Sequence, residues 1–308
     1  MRVVFCGNPD FALPTLDALC ASHHEVVAVV CSPDKPMGRG LKLAPLPVKR
    51  RAEQLGLEVL QPESLKDSGF LQKVAQLQPD VLVVVAFRIL PRELFTLPPQ
   101  GAVNVHPSLL PKGRGPAPIQ WTLLRGETET GVTIIRLTER IDAGNILRQE
   151  RVSITPSDDF GALHDRLAVL GAKMLVDTLD AAESGRQTEP KKQDDSQKTT
   201  APKLKPEDFV LHWERPAEEL RNQIRAFSPV PGAVTQLDGK RLKIFQAEAA
   251  AGESWLSPGE VRTSGSEFFI GTQTIPLRIL SLQLEGRKRM NAEEFLRGYR
   301  ISEKTKME

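Results

Sequence analysis

Short, almost uninterrupted apolar runs alternate with helical patterns through the first half of the chain. The strand-like runs cover residues 2–6, 25–31, 80–86 and 101–106, and helical spacing of apolar residues covers 11–21 and 48–55. Strands that are apolar on both faces and alternate with helices are typical of a parallel sheet with helices on both sides. Two further strands, 131–137 and 145–154, and a long helix from about 160 to 182 follow. The pattern predicts a Rossmann-like α/β domain with a mostly parallel sheet over residues 1–189.

The pattern changes after residue 189. Residues 190–206 have no apolar period and are rich in Lys, Gln, Thr and Pro, which predicts a linker. Residues 207–308 contain short strand patterns separated by turn signals, including a hairpin turn at Asp238 and Gly239. This part predicts a small all-β domain, an OB-like barrel. Asn291 and Glu294 have the spacing of a capping box at the start of a final short helix.

Positive charge is local rather than global. The formal net charge of the 308 residues is only +2, which argues against a general basic field around the protein. Residues 35–51 nevertheless contain six basic side chains and no acidic one, and Arg287, Lys288 and Arg289 are consecutive. Such runs can contact nucleic-acid phosphates, although a solvated surface is the simpler interpretation of a lone triplet.

The cysteines and the apolar runs bear on metal binding and location. Cys6, Cys20 and Cys31 have no metal-ligand spacing, so we expect no metal site and free thiols in a reducing compartment. The first residues lack the features of a secretory signal, and no apolar run reaches membrane-spanning length. The expectation is a cytoplasmic protein with no membrane partner.

Two common nucleotide-binding motifs are missing from the sequence. The first turn, CGNPDFA, has one glycine and no G-x-G-x-x-G pattern, and the chain has no G-x-x-x-x-G-K-[ST] loop. A Rossmann-like start without either motif argues against an NAD-dependent dehydrogenase and against a P-loop ATPase.

The segment NVHPSLLPKGRG, residues 104–115, is the strongest candidate for a site. It follows an apolar strand, and ligands of open α/β sheets collect at the carboxyl ends of strands. Asn104 and His106 share one face of that strand; an imidazole can exchange a proton, and an amide can stabilise an oxyanion. Asp142, in the turn between the next two strands, is placed to fold back over His106. The alternative is purely structural, with His106 a hydrogen-bonded strand end and Asp142 a turn former.

The sequence motifs around these residues resemble those of a known family. NVHPSLLPKGRGPAPIQW and TGVTIIRLTERIDAGNIL resemble the signature of the 10-formyltetrahydrofolate-dependent formyltransferases. The resemblance implies that Asn104, His106 and Asp142 form the catalytic group and that 10-formyltetrahydrofolate is the formyl donor, with no metal. It also implies a set of folate-binding residues: Ser108, Leu109, Leu110 and Pro111 in the loop, Phe87, Arg88, Ile89 and Leu90 along the pterin pocket, and Thr138 opposite.

Members of this family act on glycinamide ribonucleotide, on nucleotide-linked amino sugars, or on methionine esterified to initiator tRNA. VVFCGNPDFALPTLDAL, SPDKPMGRGLKLAPLPVK and SLQLEGRKRMNAEEFLRGYR are similar to stretches of the last group. The resemblance therefore implies formylation of the α-amine of initiator methionyl-tRNA for translation initiation. The expected oligomeric state, which the sequence itself does not determine, is a monomer. The residues expected to contact tRNA are Lys35, Arg39, Lys42, Arg287, Lys288 and Arg289.

Three positions depart from the family pattern, and two rival functions stay open. Asn8 replaces a threonine, Arg88 stands where glycine is common, and Val230 stands where tryptophan is frequent. One rival is a formyltransferase for a nucleotide sugar or for glycinamide ribonucleotide; the hundred residues beyond position 200 argue against the latter. The other is a non-catalytic RNA-binding protein, against which the presence of all three catalytic residue types argues.

Overall fold

The computed structural model describes residues 1–37, 42–186, 189–250, 256–301 and 306–307. The chain forms two compact units, of which the first comprises Met1–Pro118, Glu129–Ser153 and His164–Pro202. The second comprises Ile119–Thr128, Ile154–Leu163 and Lys203–Glu308. The domain bounds 1–189, 190–206 and 207–308 stay a prediction, but the first compact unit extends through most of the expected linker.

A seven-stranded sheet organises the first unit. Its strands, together with those of a small hairpin, are β1 (Arg2–Gly7), β2 (Glu25–Val30), β3 (Lys35–Met37), β4 (Lys42–Ala44), β5 (Val59–Leu60), β6 (Val81–Val85), β7 (Ala102–His106), β8 (Glu129–Arg136) and β9 (Ile146–Ser153). The sheet order is β5-β2-β1-β6-β7-β8-β9, while β3 and β4 pair with each other. The pairs from β5 to β7 are parallel and the last two pairs are antiparallel. The predicted Rossmann-like, mostly parallel sheet is confirmed.

Helices lie between and after the strands of this sheet. They are α1 (Leu13–Ala21), α2 (Pro47–Gln54), α3 (Ser68–Gln76), α4 (Arg92–Phe95), α5 (Pro118–Leu124) and α6 (Phe160–Glu183). A short 3-10 turn at Asp10–Ala12 precedes α1, which has a proline in its first turn. Proline is tolerated there because its missing N–H would have no helical partner. The helix α3 was not predicted, and its N-cap Asp67 accepts a hydrogen bond from the Phe70 N–H at 2.8 Å.

The apolar runs became strands because both faces of the sheet are buried. Every residue of β6 is buried, and the β1 residues from Val3 to Gly7 are buried as well. One face packs into a cluster that includes Val4, Leu82 and Phe70. The carboxyl ends of β1, β6 and β7 lie at one edge of the sheet because these strands are parallel neighbours, and this edge carries the candidate site.

The second unit is organised by an antiparallel sheet. Its strands are β10 (Ala233–Leu237), β11 (Lys240–Ala249), β12 (Val261–Ser264), β13 (Glu267–Ile270), β14 (Leu277–Leu284) and β15 (Met290–Asn291). They pair in the order β10-β11-β14-β13-β12, and β15 pairs with β14. Asp238 and Gly239, both with positive φ, form the two-residue turn between β10 and β11, as predicted. The predicted separate all-β part is confirmed as an antiparallel sheet.

This unit contains the helices α7 (Ala217–Ala226) and α8 (Ala292–Gly298), together with most of α5 and the first residues of α6. The predicted capping box of α8 is present: Asn291 Oδ1 accepts from the Glu294 N–H at 2.8 Å, and Glu294 accepts from the Asn291 N–H. The helix α7 was not predicted; its Leu220 and Ile224 belong to the core of the unit. Within the described ranges, no helix is long and apolar enough to cross a membrane.

Candidate active site

Asn104 and His106 lie on β7 at the carboxyl edge of the parallel part of the sheet. Asn104 pairs with Val84 of β6 and with Ile135 of β8, and His106 pairs with Thr133 of β8. His106 is 4% exposed, whereas Asn104 is half-buried. The strand therefore fixes both side chains on one face, with the amide nearer to solvent than the imidazole.

Both nitrogens of the His106 ring face protein groups. Nε2 lies 2.9 Å from the carbonyl oxygen of Gly113. A carbonyl oxygen can only accept, so Nε2 carries the hydrogen and donates it. Nδ1 lies 3.7 Å from Asp142 Oδ1, which is too far for a hydrogen bond, and the two groups attract each other only when the imidazole is protonated. The ring is thus oriented from one side and faces a carboxylate on the other.

Asp142 is held at its second oxygen by the loop that follows β7. Its Oδ2 accepts a hydrogen bond of 2.9 Å from the Gly115 N–H, and its side chain is 13% exposed. The residue lies in the turn between β8 and β9 and has a φ of 49°, which is uncommon for a residue other than glycine. The structure brings Asp142 to His106, as the turn position suggested, so the three polar residues implied by the sequence converge at one edge.

The loop 108–111 is tied to the antiparallel strands behind it. Thr133 Oγ1 donates to the Ser108 carbonyl at 2.6 Å and accepts from the Leu110 N–H at 3.2 Å. Gln149 Nε2 donates to the Leu110 carbonyl at 2.9 Å and to Thr133 Oγ1 at 2.8 Å. Ser108 and Leu110 are buried, while Leu109 and Pro111 are partly exposed. A loop with this many internal partners presents a fixed backbone to a ligand.

The expected folate residues of the 87–90 segment differ in exposure. Ile89 is 72% exposed, whereas Leu90 is 7% exposed and belongs to the apolar core of the first unit. Arg88 donates to the backbone carbonyls of Pro62 and Glu63, at 2.9 and 3.1 Å, and its guanidinium lies 5.3 Å from the centre of the Phe87 ring. Arg88 is therefore committed to the 62–63 loop, which explains how an arginine is accommodated at this position.

Two other expected positions are also placed by hydrogen bonds. Thr138 is exposed, and its hydroxyl donates to the Arg140 carbonyl at 3.2 Å. Asn8, at the end of β1, donates to Ser32 Oγ at 3.0 Å and accepts from the Ser32 N–H at 2.8 Å. Asn8 thus joins the loops that follow two neighbouring strands.

The basic residues expected to contact tRNA are described to different extents. Arg39 lies outside the described residues. Lys35 and Lys42 are described only as backbone positions of the β3–β4 hairpin. The triplet after β14 is exposed: Arg287 lies 6.0 Å from the centre of the Tyr299 ring, and Arg289 lies 4.3 Å from that of Phe245. Lys288 is also exposed.

The expected linker contributes to the site, which the sequence did not reveal. The Gly113 N–H donates to Thr199 Oγ1 at 2.8 Å, and the Arg114 N–H donates to the Thr199 carbonyl at 3.0 Å. The Ala201 N–H donates to the Arg114 carbonyl at 2.6 Å. The backbone of 113–115 is therefore held by residues 199–201. The glycines at 113 and 115 were the available signal, because they permit a close approach of two backbones.

Two buried cysteines and one group of possible metal ligands in the described residues do not belong to the group around His106. Burial raises the pKa of the Cys31 thiol to about 12 and that of Cys6 well above its usual range, so neither is a nucleophile at neutral pH. In the part of the chain that the structure describes, the one group of histidine and acidic side chains close enough to share an ion is His23, His24 and Glu183. It contains none of the residues around His106.

The chain with this Rossmann-like sheet, these Asn, His and Asp side chains at its carboxyl edge and a following antiparallel sheet is a formyl transfer enzyme. Residues 1–179 match the formyl transferase family and residues 203–300 match the formyl transferase C-terminal domain. The chain belongs to the formyl transferase family.

Two relatives that match almost the whole chain have the same name. A methionyl-tRNA formyltransferase of Geobacter metallireducens is 44% identical, over 98% of this chain and 96% of its own. One of Moorella thermoacetica is 47% identical, over 97% of this chain and 96% of its own.

Solved structures support the fold. WlaRD, a sugar 3N-formyl transferase solved in the presence of dTDP and 5-N-formyl-THF, matches with a TM-score of 0.67 at 17% identity, over 94% of this chain and 99% of its own. Methionyl-tRNA formyltransferase from Clostridium thermocellum matches with a TM-score of 0.55 at 18% identity, over 82% of this chain and 95% of its own.

Proposed function

We propose that this protein transfers the formyl group of 10-formyltetrahydrofolate to the α-amine of initiator methionyl-tRNA. The observation that carries the proposal is the convergence of His106, Asp142 and Gly115 beside Asn104. The relatives that match almost the whole chain at 44–47% identity support the same acceptor. The enzyme works as a cytoplasmic monomer, in keeping with a role in translation initiation.

The reaction has two chemical requirements that this site meets. The methionyl α-amine must be unprotonated to attack and must give up a proton once its nitrogen has bonded, and the attacked formyl carbon becomes tetrahedral with a negatively charged oxygen. The new bond joins the α-nitrogen to the formyl carbon, the bond from that carbon to N10 of the folate breaks, and the proton lost by the amine is returned to N10. No oxidant, reductant or metal is needed for this exchange.

The three polar residues divide these tasks. The Asn104 amide donates to the oxyanion, and the His106 ring stabilises it through the positive charge that the ring takes up. Electrostatic stabilisation of this kind usually makes the largest single contribution to the rate of acyl transfer. The Asp142 carboxylate balances the positive charge that the imidazole takes up, and His106 and Asp142 between them take the proton of the amine. Because Gly113 and Gly115 fix the other sides of the ring and of the carboxylate, little reorganisation accompanies the charge changes.

The donor and acceptor surfaces follow from the same edge. The folate contacts Ser108–Pro111, whose backbone is held by Thr133 and Gln149, with the 87–90 segment and Thr138 beside it. The tRNA contacts Lys35, Arg39 and Lys42 of the basic segment and the exposed Arg287, Lys288 and Arg289. Lysine and arginine side chains suit the phosphate backbone of the acceptor arm.

A comparison of three formyl acceptors, each supplied separately, tests the proposal. The purified protein is supplied with 10-formyltetrahydrofolate and either methionyl initiator tRNA, glycinamide ribonucleotide, or a dTDP-linked amino sugar. We expect formylation of the methionyl-tRNA alone. Formylation of either small acceptor instead would replace the proposed acceptor while keeping the family chemistry, and tRNA binding without formylation would favour the non-catalytic alternative.

A further inference from the structure

The side chain of Gln193 joins the two backbone segments that carry the site. It is 7% exposed, and its Nε2 donates to the carbonyl oxygens of Asp142 and Gly144, at 2.8 and 2.7 Å. Its Oε1 accepts from Arg114 Nε at 3.1 Å and from Arg114 Nη2 at 2.7 Å. Both N–H groups and both acceptor directions of the amide are thus used. A surface glutamine in a flexible linker would have no such set of partners.

The Arg114 side of this link leads to His106. Arg114 stands between the two glycines whose backbone groups contact the site: the Gly113 carbonyl accepts from His106, and the Gly115 N–H donates to Asp142. A shift of Arg114 therefore displaces both contacts. Asp195 supports the same guanidinium, since its Oδ1 accepts from Arg114 Nη2 at 2.7 Å.

On the Asp142 side, Gln193 binds a backbone segment whose conformation is unfavourable. A non-glycine residue with a φ of 49° costs about 1–2 kcal/mol, and such a conformation persists only where surrounding contacts fix it. Gln193 supplies two of these contacts, to the carbonyl of Asp142 itself and to that of Gly144, two residues later. Loss of both would allow the turn, and with it the carboxylate, to relax away from His106.

We propose that Gln193 is a positioning residue for formyl transfer, which holds Asp142 beside His106 and couples that turn to the Gly113–Gly115 loop. The proposal rests on the catalytic role of Asp142 put forward above. Gln193 touches neither the formyl group nor the amine, and its effect on the reaction passes through Asp142.

The segment that carries Gln193 is docked by other contacts. Lys191 and Ile146 exchange two backbone hydrogen bonds, at 2.8 and 2.9 Å. At the far end, Thr199 and Ala201 bond to the backbone of residues 113–117. A change confined to the Gln193 side chain therefore leaves the segment in place, which permits a clean test.

Gln193→Glu is the sharpest variant. It has the same shape and keeps an acceptor for Arg114, but it puts an oxygen where the two carbonyls need a donor. Gln197→Glu is the matched control, because Gln197 lies in the same segment and its Nε2 donates to Asp194 at 2.9 Å, outside the site. We expect Gln193→Glu to lower kcat about 10–100-fold, as a displacement of about 1 Å does, with KM for methionyl-tRNA within about twofold of the parent. Gln197→Glu should match the parent.

A double-mutant cycle separates positioning from a general structural role. In single-turnover assays, Gln193→Glu should slow an Asp142→Asn enzyme less than about threefold, because residues that act through one another are not additive. Three results would overturn the inference: an undiminished kcat in Gln193→Glu, the same loss in the Asp142→Asn background, or a loss that merely follows a lower melting temperature. Full turnover of Asp142→Asn alone would instead remove the catalytic role on which the inference rests, and the inference with it.

Discussion

Asp142 Oδ1 lies 3.7 Å from Nδ1 of His106, while the second oxygen of the same carboxylate is bound to the Gly115 N–H. The Asp142 carboxylate thus faces the imidazole and is anchored to the 113–115 loop. The same loop binds the other ring nitrogen of His106 through the Gly113 carbonyl. The relationship separates two functions of the carboxylate: its charge acts on His106, and its hydrogen-bonding capacity holds it in place.

Asp142→Asn tests that separation. An asparagine carbonyl oxygen can still accept from Gly115, so folding and tRNA affinity should be retained while the negative charge beside His106 is lost. We expect turnover to fall by about 10²-fold or more, and His106→Ala to cost about 10²–10³-fold as the loss of an oxyanion donor does. Single-turnover kinetics and a tRNA-binding titration measure the two effects. Asp165→Asn, an exposed change on α6, is the control; near-normal turnover of either site variant would exclude that residue from catalysis.

Gly115→Ala tests how closely the expected linker approaches the active-site loop. A Cβ at position 115 would lie 2.4 Å from the Ala201 carbonyl oxygen, and its φ of 128° is a conformation that side chains rarely adopt. We expect a loss of about 1–3 kcal/mol of unfolding free energy, measured by urea denaturation, together with reduced kcat.

Gly185→Ala provides the matched comparison for this change. Its φ of 66° is also positive, but an added Cβ would have nothing within 4 Å. We expect Gly185→Ala to lower the free energy of unfolding by about 1 kcal/mol and to leave kcat unchanged. Equal stability losses in the two variants would contradict the close approach.

Asp195 gives a prediction for acid stability. Hydrogen bonds from Arg140 and Arg114 lower the pKa of this carboxyl to about 2. A lowered folded-state pKa contributes stability above the unfolded value of about 3.9, and the contribution is lost as pH falls from there to about 2. Asp195→Asn should therefore destabilise the protein at pH 5–7, and the difference from the parent should shrink below pH 4. Thermal unfolding at stepped pH measures it; a difference that is constant down to pH 2 would contradict the ion pairs.

Some basic residues should affect the strength of tRNA binding, and others should affect which tRNA is selected. Lys288→Ala removes an exposed charge and should lower the salt dependence of tRNA binding by about one unit of slope, without changing which tRNA is preferred. Lys173→Ala, an exposed position on α6, is the matched control and should leave the slope unchanged. Titrations over a range of salt concentrations give the slopes, and equal slopes in all three proteins would place Lys288 outside the interface.

Arg39, which lies outside the described residues, should act on selection instead. Arg39→Ala is expected to slow formylation most for the tRNA that the parent prefers, and thereby to change the ratio of rates on two methionyl-tRNAs with a mismatched and a paired acceptor end. Measuring the two formylation rates side by side shows whether Arg39 affects the selection of tRNA. If both the rates and their ratio stay unchanged, the second unit becomes the leading candidate for selection.

Local patterns predicted those parts of the fold that local chemistry determines. The apolar runs predicted the central strands because burial on both faces selects such residues, and Asp238-Gly239 and Asn291 predicted a turn and a cap whose partners lie within a few residues. The location of Asp142 could be predicted for the same reason, since a turn between adjacent strands returns to the edge of the sheet. The position of Gln193 was not, because its partners, Arg114, Asp142 and Gly144, are distant in the chain and no periodicity marks a polar residue that binds backbone carbonyls.

The docking of residues 191–201 changes what counts as the smallest complete enzyme unit. The family's N-terminal region ends at residue 179 and its C-terminal region begins at 203, so Gln193, Thr199 and Ala201 belong to neither. A shortened chain that stops where the first region ends would keep Asn104, His106 and Asp142 yet leave the 113–117 backbone without its partners. A fragment intended for inhibitor screening or for grafting onto an RNA-binding module should therefore run to Pro202, where the first compact unit ends.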